Sequence, residues 1–292
     1  MFSKVVVLGK FGQLSQSIQD NDPEQSFIYL SSTDLDLRNT KEICKKLQEI
    51  NPSIIINCSA YNNVDDAERL DSDNILINEM AVKEVVKFCK KNKSKFIHVS
   101  TDYVFDGKKQ SPYHEDDLAF PVNEYGKAKL EAEKFITKNL QQFFILRTSW
   151  LYSHFKTDNN FLNKIINATR DKKQLFGATD LIGTPTYSND LARYILEIIQ
   201  KDEWHKSGIF HATNTGVVSR FDFIKKIIEL SNVYLNNVVD VSPSQSSEFS
   251  QQARRPIFTA MNNNKLQEKM GIQTKDWEIS LNEAINLYFS NA

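Results

Sequence analysis

Short apolar runs alternate with amphipathic segments over the first half of the chain. The apolar runs are rich in β-branched residues and cover 5–9, 27–30, 53–60, 95–101 and 143–150. Segments with helical spacing follow them, one beginning near Gly12 and others at 40–50, 74–92 and 123–140. Runs that are apolar on both faces and alternate with helices are typical of a parallel sheet covered by helices. We therefore predict an α/β fold with a doubly wound parallel sheet, Rossmann-like in organisation.

The alternation becomes irregular after residue 150. Helices are predicted over 159–171, 188–201, 220–231 and 279–289, and one more strand over 208–213. From about residue 215 the chain is also richer in Asn and Ser. We predict a larger domain made of residues 1–150 and about 184–214. A smaller, discontinuous domain would contain about 151–183 and 215–292.

Composition narrows the class of protein. The chain has 292 residues, of which 40% are hydrophobic and 25% charged, with a net charge of -1. These proportions are typical of a soluble globular protein, and the near-neutral charge gives no reason to expect nucleic acid or an anionic membrane as partner. No stretch approaches the roughly 20 apolar residues of a membrane span, and no basic region followed by an apolar run suggests an export signal.

Cysteine and histidine usage indicates a reducing compartment and no metal centre. The three cysteines are widely spaced and form no CxxC motif, which favours a cytoplasmic protein without disulfides. The five histidines lack the spacing of metal ligands, so no metal site is predicted. We expect structural roles for them, including His98 within the apolar run KFIHVS.

The segment VVVLGKFGQLSQS at 5–17 has the form of a phosphate-binding loop. An apolar strand runs into Gly9 and Gly12, and a helix begins directly afterwards. Glycines at such a turn let the backbone approach a pyrophosphate, whose charge is stabilised by the N–H groups of the helix. The third glycine of the dinucleotide fingerprint is replaced by Ser15. Because small residues are common at such turns, the loop alone does not distinguish a nucleotide site from an ordinary corner.

The end of the second strand favours NADPH over NADH. An acidic residue at this point would bind the adenosine ribose of NAD, but the chain has Ser31, Ser32 and Thr33. Lys10 lies in the glycine loop and supplies a cation. A strand end without a carboxylate and with a nearby cation tolerates a 2′-phosphate.

Candidate chemistry lies further along the chain. Tyr125 and Lys129 in NEYGKAK are four residues apart and therefore share one face of the predicted helix. A nearby ammonium favours the phenolate, so we expect Lys129 to lower the pKa of Tyr125. Such a tyrosine can donate a proton to a carbonyl oxygen as hydride arrives. Thr101, at the end of the preceding strand, could hydrogen-bond the same oxygen.

These motifs together resemble the extended short-chain dehydrogenase/reductase family, and within it the reductases of nucleotide-linked 4-keto sugars. The similarity runs over nearly the whole chain. The matching segments are GKFGQL (9–14), NCSAYNNVDDAE (57–68), STDYVFDG (100–107), PYHEDD (112–117), EYGKAKLEAE (124–133), ILRTSWLY (145–152), NNF (159–161), GTPTYSNDLA (183–192) and RRP (254–256). The chain departs from the family pattern at Ser15 and Ser153, where glycine is usual, and at Leu181, where glutamine is usual.

The resemblance implies a nicotinamide-dependent reductase of a nucleotide-linked 4-keto-6-deoxy sugar, with NADPH or NADH as cofactor. The larger domain would bind the dinucleotide and the smaller one the substrate. Thr101, Tyr125 and Lys129 would be catalytic, and Thr101, Asp102 and Trp150 would contact the sugar. The cofactor would contact Gly9, Lys10, Gly12, Gln13, Leu14, Asp36, Leu37, Ser59, Ala60, Tyr61, Tyr125 and Lys129. A homodimer is left open as the assembly state.

Two alternatives remain at this point. The chain could be an epimerase or reductase of a different 4-keto sugar, carried by UDP or GDP. It could also be a non-catalytic protein similar to the regulatory subunit of methionine adenosyltransferase, which keeps a tyrosine–lysine pair. Trp150 and the pattern AYNNVDDAE are absent from that subunit, so they favour catalysis. Trp150 has its own structural alternative as a large core residue after a strand.

Overall fold

The first half of the chain folds as the alternation predicts. The computed structural model describes residues 4–290 except 23, 25, 172 and 238. Its first elements are β1 (Val5–Leu8), α1 (Gln13–Asp20), β2 (Ile28–Leu30), α2 (Thr40–Ile50), β3 (Ile54–Asn57), α3 (Ala81–Asn92), β4 (Lys95–Thr101), α4 (Glu124–Asn139) and β5 (Phe143–Thr148). The predicted bounds of α2 and β4 agree with the structure at both ends.

The second half contains shorter strands. Its elements are β6 (Leu151–Tyr152), α5 (Phe161–Asp171), β7 (Gln174–Ala178), β8 (Ile182–Gly183), β9 (Thr186–Tyr187), α6 (Ser188–Lys201), β10 (Gly208–His211), β11 (Val218–Ser219), α7 (Arg220–Leu235), β12 (Asp240–Ser244), α8 (Asn264–Met270) and α9 (Trp277–Ser290). Strand β6 pairs in parallel with β9 and β7 with β12, whereas β8 and β11 are antiparallel.

Within the described residues, six parallel strands form the main sheet in the order β2-β1-β3-β4-β5-β10. Side chains of successive strand residues point to opposite faces, so each strand supplies two cores. Val5 and Val7 belong to a core with α1 and α6, whereas Val6 and Leu8 belong to one with α2 and α3. The predicted doubly wound parallel sheet is therefore confirmed. No helix in the described part of the chain is long and apolar enough to cross a membrane.

A separate apolar cluster lies beside the sheet. It contains Tyr152, Tyr187, Phe223 and Trp277 and is built by β6, β9, α7 and α9. Helix α8, although it falls within 215–292, instead contributes Leu266 to the core beneath the main sheet. The division of the chain into a dinucleotide domain and a substrate domain stays a prediction.

Candidate active site

A cavity of about 440 Å³ opens at the carboxyl ends of β1, β2 and β3. Gly9 turns the chain there with φ +91°, a left-handed conformation that favours glycine. A Cβ on Gly9 would lie 2.7 Å from Ser59 Oγ, so the loop after β1 and the loop after β3 approach too closely for a side chain. Both glycine positions of the loop line the cavity, as the fingerprint predicts.

The N-terminus of α1 faces this turn without a side-chain cap. Gly12 is the N-cap residue, and it offers no side-chain oxygen to the first N–H groups of the helix. Those N–H groups and the helix dipole suit a negatively charged group. A cradle that a Cβ would fill, next to an uncapped helix start, therefore fits the pyrophosphate of a dinucleotide.

Most of the predicted cofactor residues are brought together here. The residues that line the cavity are Gly9, Lys10, Gly12, Asp36, Leu37, Ser59 and Ala60. Gln13, Leu14, Tyr61, Tyr125 and Lys129 do not line it. Leu14 is buried in the core beneath α1, and the Gln13 side chain accepts a hydrogen bond from Ser153, one of the departures from the family pattern.

Tyr61 is held by its backbone rather than presented as a ring to the cavity. The buried side chain of Asn78 accepts from Tyr61 N and donates to Tyr61 O, both at 3.0 Å. Asn78 can do so because the predicted helix at 74–92 contains a π turn at Leu76–Met80 before α3. Such turns often mark functional sites, and this one fixes the loop after β3.

The end of β2 carries a second cation that the sequence analysis overlooked. Arg38 lines the cavity together with Ser31 and Ser32, and its guanidinium lies 2.7 Å from the Asp36 carboxylate. The Asp34 carboxylate also lies near this strand end, but it accepts from the N–H and hydroxyl of Ser31 at 2.9 and 2.6 Å. The cavity wall at this point thus consists of serine hydroxyls and the ion pair between Arg38 and Asp36.

The start of α4 positions Tyr125. Asn123 caps the helix by accepting from Gly126 N at 2.8 Å. A Cβ on Gly126 would lie 2.1 Å from Tyr103 O, so only glycine lets the helix approach the segment after β4. The ring of Tyr125 then meets the ring of Tyr103 edge-on, with centroids 6.0 Å apart.

The expected lowering of the Tyr125 pKa is not found in the structure. Burial raises the pKa of Tyr125 above its usual range, and a hydrogen bond with Thr101 opposes that rise only partly. Lys129 does not offset the effect of burial on this pKa, and its amino group donates to Val99 O at 2.6 Å. Tyr125 is therefore a neutral phenol with Thr101 beside it, as a proton donor requires.

Lys129 is itself almost fully buried, with 1% of its surface exposed. Burial lowers its pKa to about 8. Its Nζ also lies 3.3 Å from Nε2 of His98, which the sequence analysis had assigned a structural role only. His98 is thus placed directly behind the predicted catalytic lysine.

A second cavity of about 410 Å³ lies beyond Trp150 and Tyr103. Trp150 adopts φ +45°, and its ring lies against Gly183, where a Cβ would come within 2.5 Å. Two arginines line this cavity, Arg220 and Arg255, and no carboxylate is among its lining residues in the described part of the chain. The chemistry of this lining suits an anion with an apolar neighbour.

Comparison with known proteins shows the family to which the chain belongs. The sequence pattern of the RmlD substrate binding domain family matches residues 3–289. A dTDP-4-dehydrorhamnose reductase of Aggregatibacter actinomycetemcomitans is 32% identical over 287 residues, which are 96% of this chain and 97% of that protein. The chain belongs to the RmlD substrate-binding domain family.

Solved structures agree with this family membership. The dTDP-4-dehydrorhamnose reductase of Bacillus anthracis, determined in complex with NADP, has a TM-score of 0.89 and 33% identity, with 100% of each chain covered. The reductase of Clostridium acetobutylicum has the same TM-score and identity, covering 97% of this chain and 99% of that one. The resemblance to extended short-chain dehydrogenase/reductases is thereby confirmed.

The two cavities of this RmlD-family chain do not include every predicted substrate residue. Trp150 lines the second cavity, but Thr101 and Asp102 do not. The Asp102 carboxylate is buried and accepts from Thr101 and Ser149 at 3.0 Å, and burial raises its pKa. Their contact with substrate stays a prediction.

Sequence reasoning missed two residues that line the second cavity, Arg220 and Tyr103. Arg220 begins α7, about 70 residues after Trp150 in the sequence. Tyr103 belongs to the segment STDYVFDG, in which only Thr101 and Asp102 were predicted as site residues. Arg255 lines the cavity, whereas its neighbour Arg254 is exposed outside the lining. The run RFDF at 220–223 carries no motif that would single out Arg220.

Proposed function

We propose that the protein reduces the 4-keto group of dTDP-4-dehydro-L-rhamnose with NADPH, or with NADH, to give dTDP-L-rhamnose. It would act in the cytoplasm and supply a precursor of cell-surface polysaccharide. The observation that carries this proposal is that Tyr125 and Lys129 each have a neighbour that lines a different cavity. Lys129 lies near Cys58, a lining residue of the first cavity, and its charge would lower the pKa of that thiol. The ring of Tyr125 contacts the ring of Tyr103, a lining residue of the second cavity.

The dinucleotide would lie on the glycine loop and supply the hydride. Tyr125 donates its phenolic proton to the ketone oxygen, and it carries that proton at neutral pH because burial raises its pKa. Thr101 hydrogen-bonds the same oxygen and keeps the ketone oriented. Lys129 would hold the nicotinamide ribose.

The second cavity suits a sugar linked to a diphosphate. Trp150 offers an aromatic face to the pyranose, and a 6-deoxy sugar presents a methyl group that needs no polar partner there. Arg220 and Arg255 line the same cavity. A guanidinium group can bind two oxygens of one phosphate through two parallel hydrogen bonds. Apolar residues such as Ile224 and Phe249 complete the wall for the base.

Asp65 fixes one of these arginines. Its carboxylate receives Arg255 at 3.1 and 2.9 Å and also the N–H groups of Gln252 and Ala253 at 3.0 Å. The AYNNVDDAE segment, which follows the cofactor loop at Ser59, thus anchors the far wall of the substrate cavity. This contact would couple the positions of the two ligands.

The test is to mix the purified protein with NADPH and a panel of nucleotide-linked 4-keto sugars and follow the loss of NADPH absorbance. We expect the fastest loss with dTDP-4-dehydro-L-rhamnose and almost none with Tyr125→Phe. Faster reduction of a UDP- or GDP-linked ketone would replace the proposed substrate. Tight dinucleotide binding without turnover of any ketone would instead support the non-catalytic alternative.

A further inference from the structure

A chain of polar groups runs behind Lys129 through the buried part of the sheet. The N–H of Ser59 donates to Asn57 Oδ1 at 3.1 Å, and Asn57 Nδ2 lies 3.2 Å from His98 Nδ1. His98 Nε2 then lies 3.3 Å from Lys129 Nζ. Asn57, His98 and Lys129 are each at most 2% exposed. These hydrogen bonds therefore join the cofactor loop at Ser59 to the predicted catalytic lysine.

The direction of these hydrogen bonds is set by Ser59. A backbone N–H is always a donor, so the Asn57 oxygen must face it and the Asn57 NH₂ must face His98. His98 Nδ1 is then an acceptor, and the proton of the neutral imidazole lies on Nε2. This N–H points at Lys129 Nζ. An ammonium has no lone pair to accept it, whereas an uncharged amine has one and can still donate to Val99 O.

We propose that Ser59, Asn57 and His98 stabilise the uncharged amine of Lys129 in the dinucleotide-free protein, and that dinucleotide binding is coupled to protonation of Lys129. His98 is a positioning residue in this proposal, since it acts through Lys129. The second half of the proposal rests on the proposed function, because ribose hydroxyls would supply acceptors that favour the ammonium. The proton is taken up from solvent.

The other groups around Lys129 leave this assignment in place. Glu133 on α4 favours the ammonium, but its carboxylate is paired with Arg147 at 2.7 Å and receives the Ser100 hydroxyl at 2.5 Å. Cys58, after β3, is a neutral thiol because burial raises its pKa to about 12. On β4, burial and Lys129 lower the pKa of His98 well below its usual range, which keeps the imidazole neutral.

The charge of Lys129 can be read directly by NMR of the protein labelled with ¹³C at lysine Cε. The resonance of Lys129 is assigned by its absence in Lys129→Met and followed from pH 6 to pH 11 without dinucleotide. We expect a midpoint near pH 8, well below the roughly 10.4 of an ordinary lysine. A midpoint among those of the surface lysines would overturn the proposal.

Two substitutions at Asn57 test the direction of the hydrogen bonds that join Ser59 to Lys129. Asn57→Leu removes the donor to His98 without adding charge, and Asn57→Asp replaces it with an acceptor. Either change lets His98 carry its proton on Nδ1 and accept from an ammonium at Nε2. We expect the Lys129 midpoint to rise by at least one pH unit, a tenfold gain in proton affinity. His211→Asn removes a buried histidine that is not part of these hydrogen bonds, and it should leave the Lys129 midpoint unchanged. An unchanged midpoint in both Asn57 variants would contradict the proposal.

Proton uptake on dinucleotide binding is measured by calorimetry in buffers of different ionisation enthalpy. At pH 9 we expect close to one proton taken up per NADPH or NADH bound, and none at pH 9 in Lys129→Met. At pH 6 we expect none with NADH, which lacks the 2′-phosphate that titrates near this pH in NADPH. Binding at pH 9 without Lys129-dependent uptake would overturn the coupling. Failure to reduce any keto sugar would contradict the proposed function. It would not change the NMR midpoint of Lys129 or the proton uptake measured by calorimetry.

Discussion

The guanidinium of Arg220 lies 3.6 Å from the centre of the Trp150 ring and 4.6 Å from that of Phe161. In the described part of the chain no carboxylate forms an ion pair with it, and burial lowers its pKa to about 10. A partly buried cation that stacks on aromatic rings and has no paired carboxylate keeps its hydrogen-bond donors available. In the proposed function, the same contact would orient Trp150 for the sugar and offer charge to the diphosphate.

Substitution of Arg220 should weaken substrate binding selectively. Arg220→Met keeps an apolar side chain against Trp150 but removes the charge, and we expect KM for the sugar nucleotide to rise about 10- to 100-fold. Arg220→Lys keeps the charge without the planar stack and should give an intermediate value. Lys225→Met, an exposed cation on the same helix, is the matched control. Equal KM values for the Arg220 and Lys225 variants would remove Arg220 from the substrate site.

Trp150 should act on the sugar and not on the dinucleotide. Trp150→Ala deletes the aromatic face of the second cavity, so we expect a higher KM or lower turnover for the sugar and a nearly unchanged Kd for NADPH. Gly183→Ala is a useful companion, because its Cβ would displace the Trp150 ring without removing it. Unchanged sugar kinetics in Trp150→Ala would show that the tryptophan is only a core residue.

Tyr125 should be required for turnover but not for dinucleotide binding. Tyr125→Phe keeps the ring contact with Tyr103 and deletes the proton donor, so turnover should fall by about 10² to 10⁴. Lys129→Ala should reduce both turnover and dinucleotide affinity, because its predicted role includes the ribose. Stopped-flow turnover and fluorescence titration of NADPH separate the two effects. Near-normal turnover in Tyr125→Phe would exclude this mechanism.

The preference for NADPH should depend on two cations that line the first cavity, Lys10 in the loop after β1 and Arg38 after β2. Lys10 was predicted from the sequence, and Arg38 is added by the structure because it lines the same cavity. We expect Lys10→Met and Arg38→Met each to raise the Kd of NADPH more than that of NADH. Lys41→Met, on nearby α2, serves as a control for general charge. A wild-type protein that clearly prefers NADH would contradict this reading of the cavity.

The fold could be predicted in the region where periodicity is strong. Strand β4 and helix α2 agree at both ends because long apolar runs and amphipathic stretches leave little choice of boundary. Two-residue strands such as β8 and β11 were missed, since two residues carry no period. Helix α8 is only seven residues long and was missed for a similar reason.

The candidate site was predicted less evenly. The glycine loop and the Tyr125–Lys129 pair could be proposed from the sequence because each lies within one short segment. Arg220 could not be found, because only folding brings α7 to Trp150. The pKa of Tyr125 was predicted in the wrong direction, since spacing on a helix shows that Lys129 is near but not that its amino group donates to Val99.

Acid should destabilise the protein through His211. This residue is fully buried on β10, its Nδ1 donates to Asn262 O at 3.0 Å, and its Nε2 has no hydrogen-bond partner among the described residues. Burial, followed by the nearby charge of Arg147, lowers its pKa to about 3, against about 6.5 in an unfolded chain. Between these two pH values the unfolded state binds a proton that the folded state does not.

Stability must therefore fall as the pH decreases from 6.5 toward 3, and it is unaffected by His211 above that window. The expected loss between pH 7 and pH 4 from this one group is about 3 kcal/mol. His211→Asn keeps a donor toward Asn262 O but cannot ionise, so its free energy of unfolding, measured in urea, should fall less steeply over the same range. Carboxylates titrate in both proteins, and the difference between the two slopes isolates His211. Parallel slopes would show that the imidazole is not neutral in the folded protein at low pH.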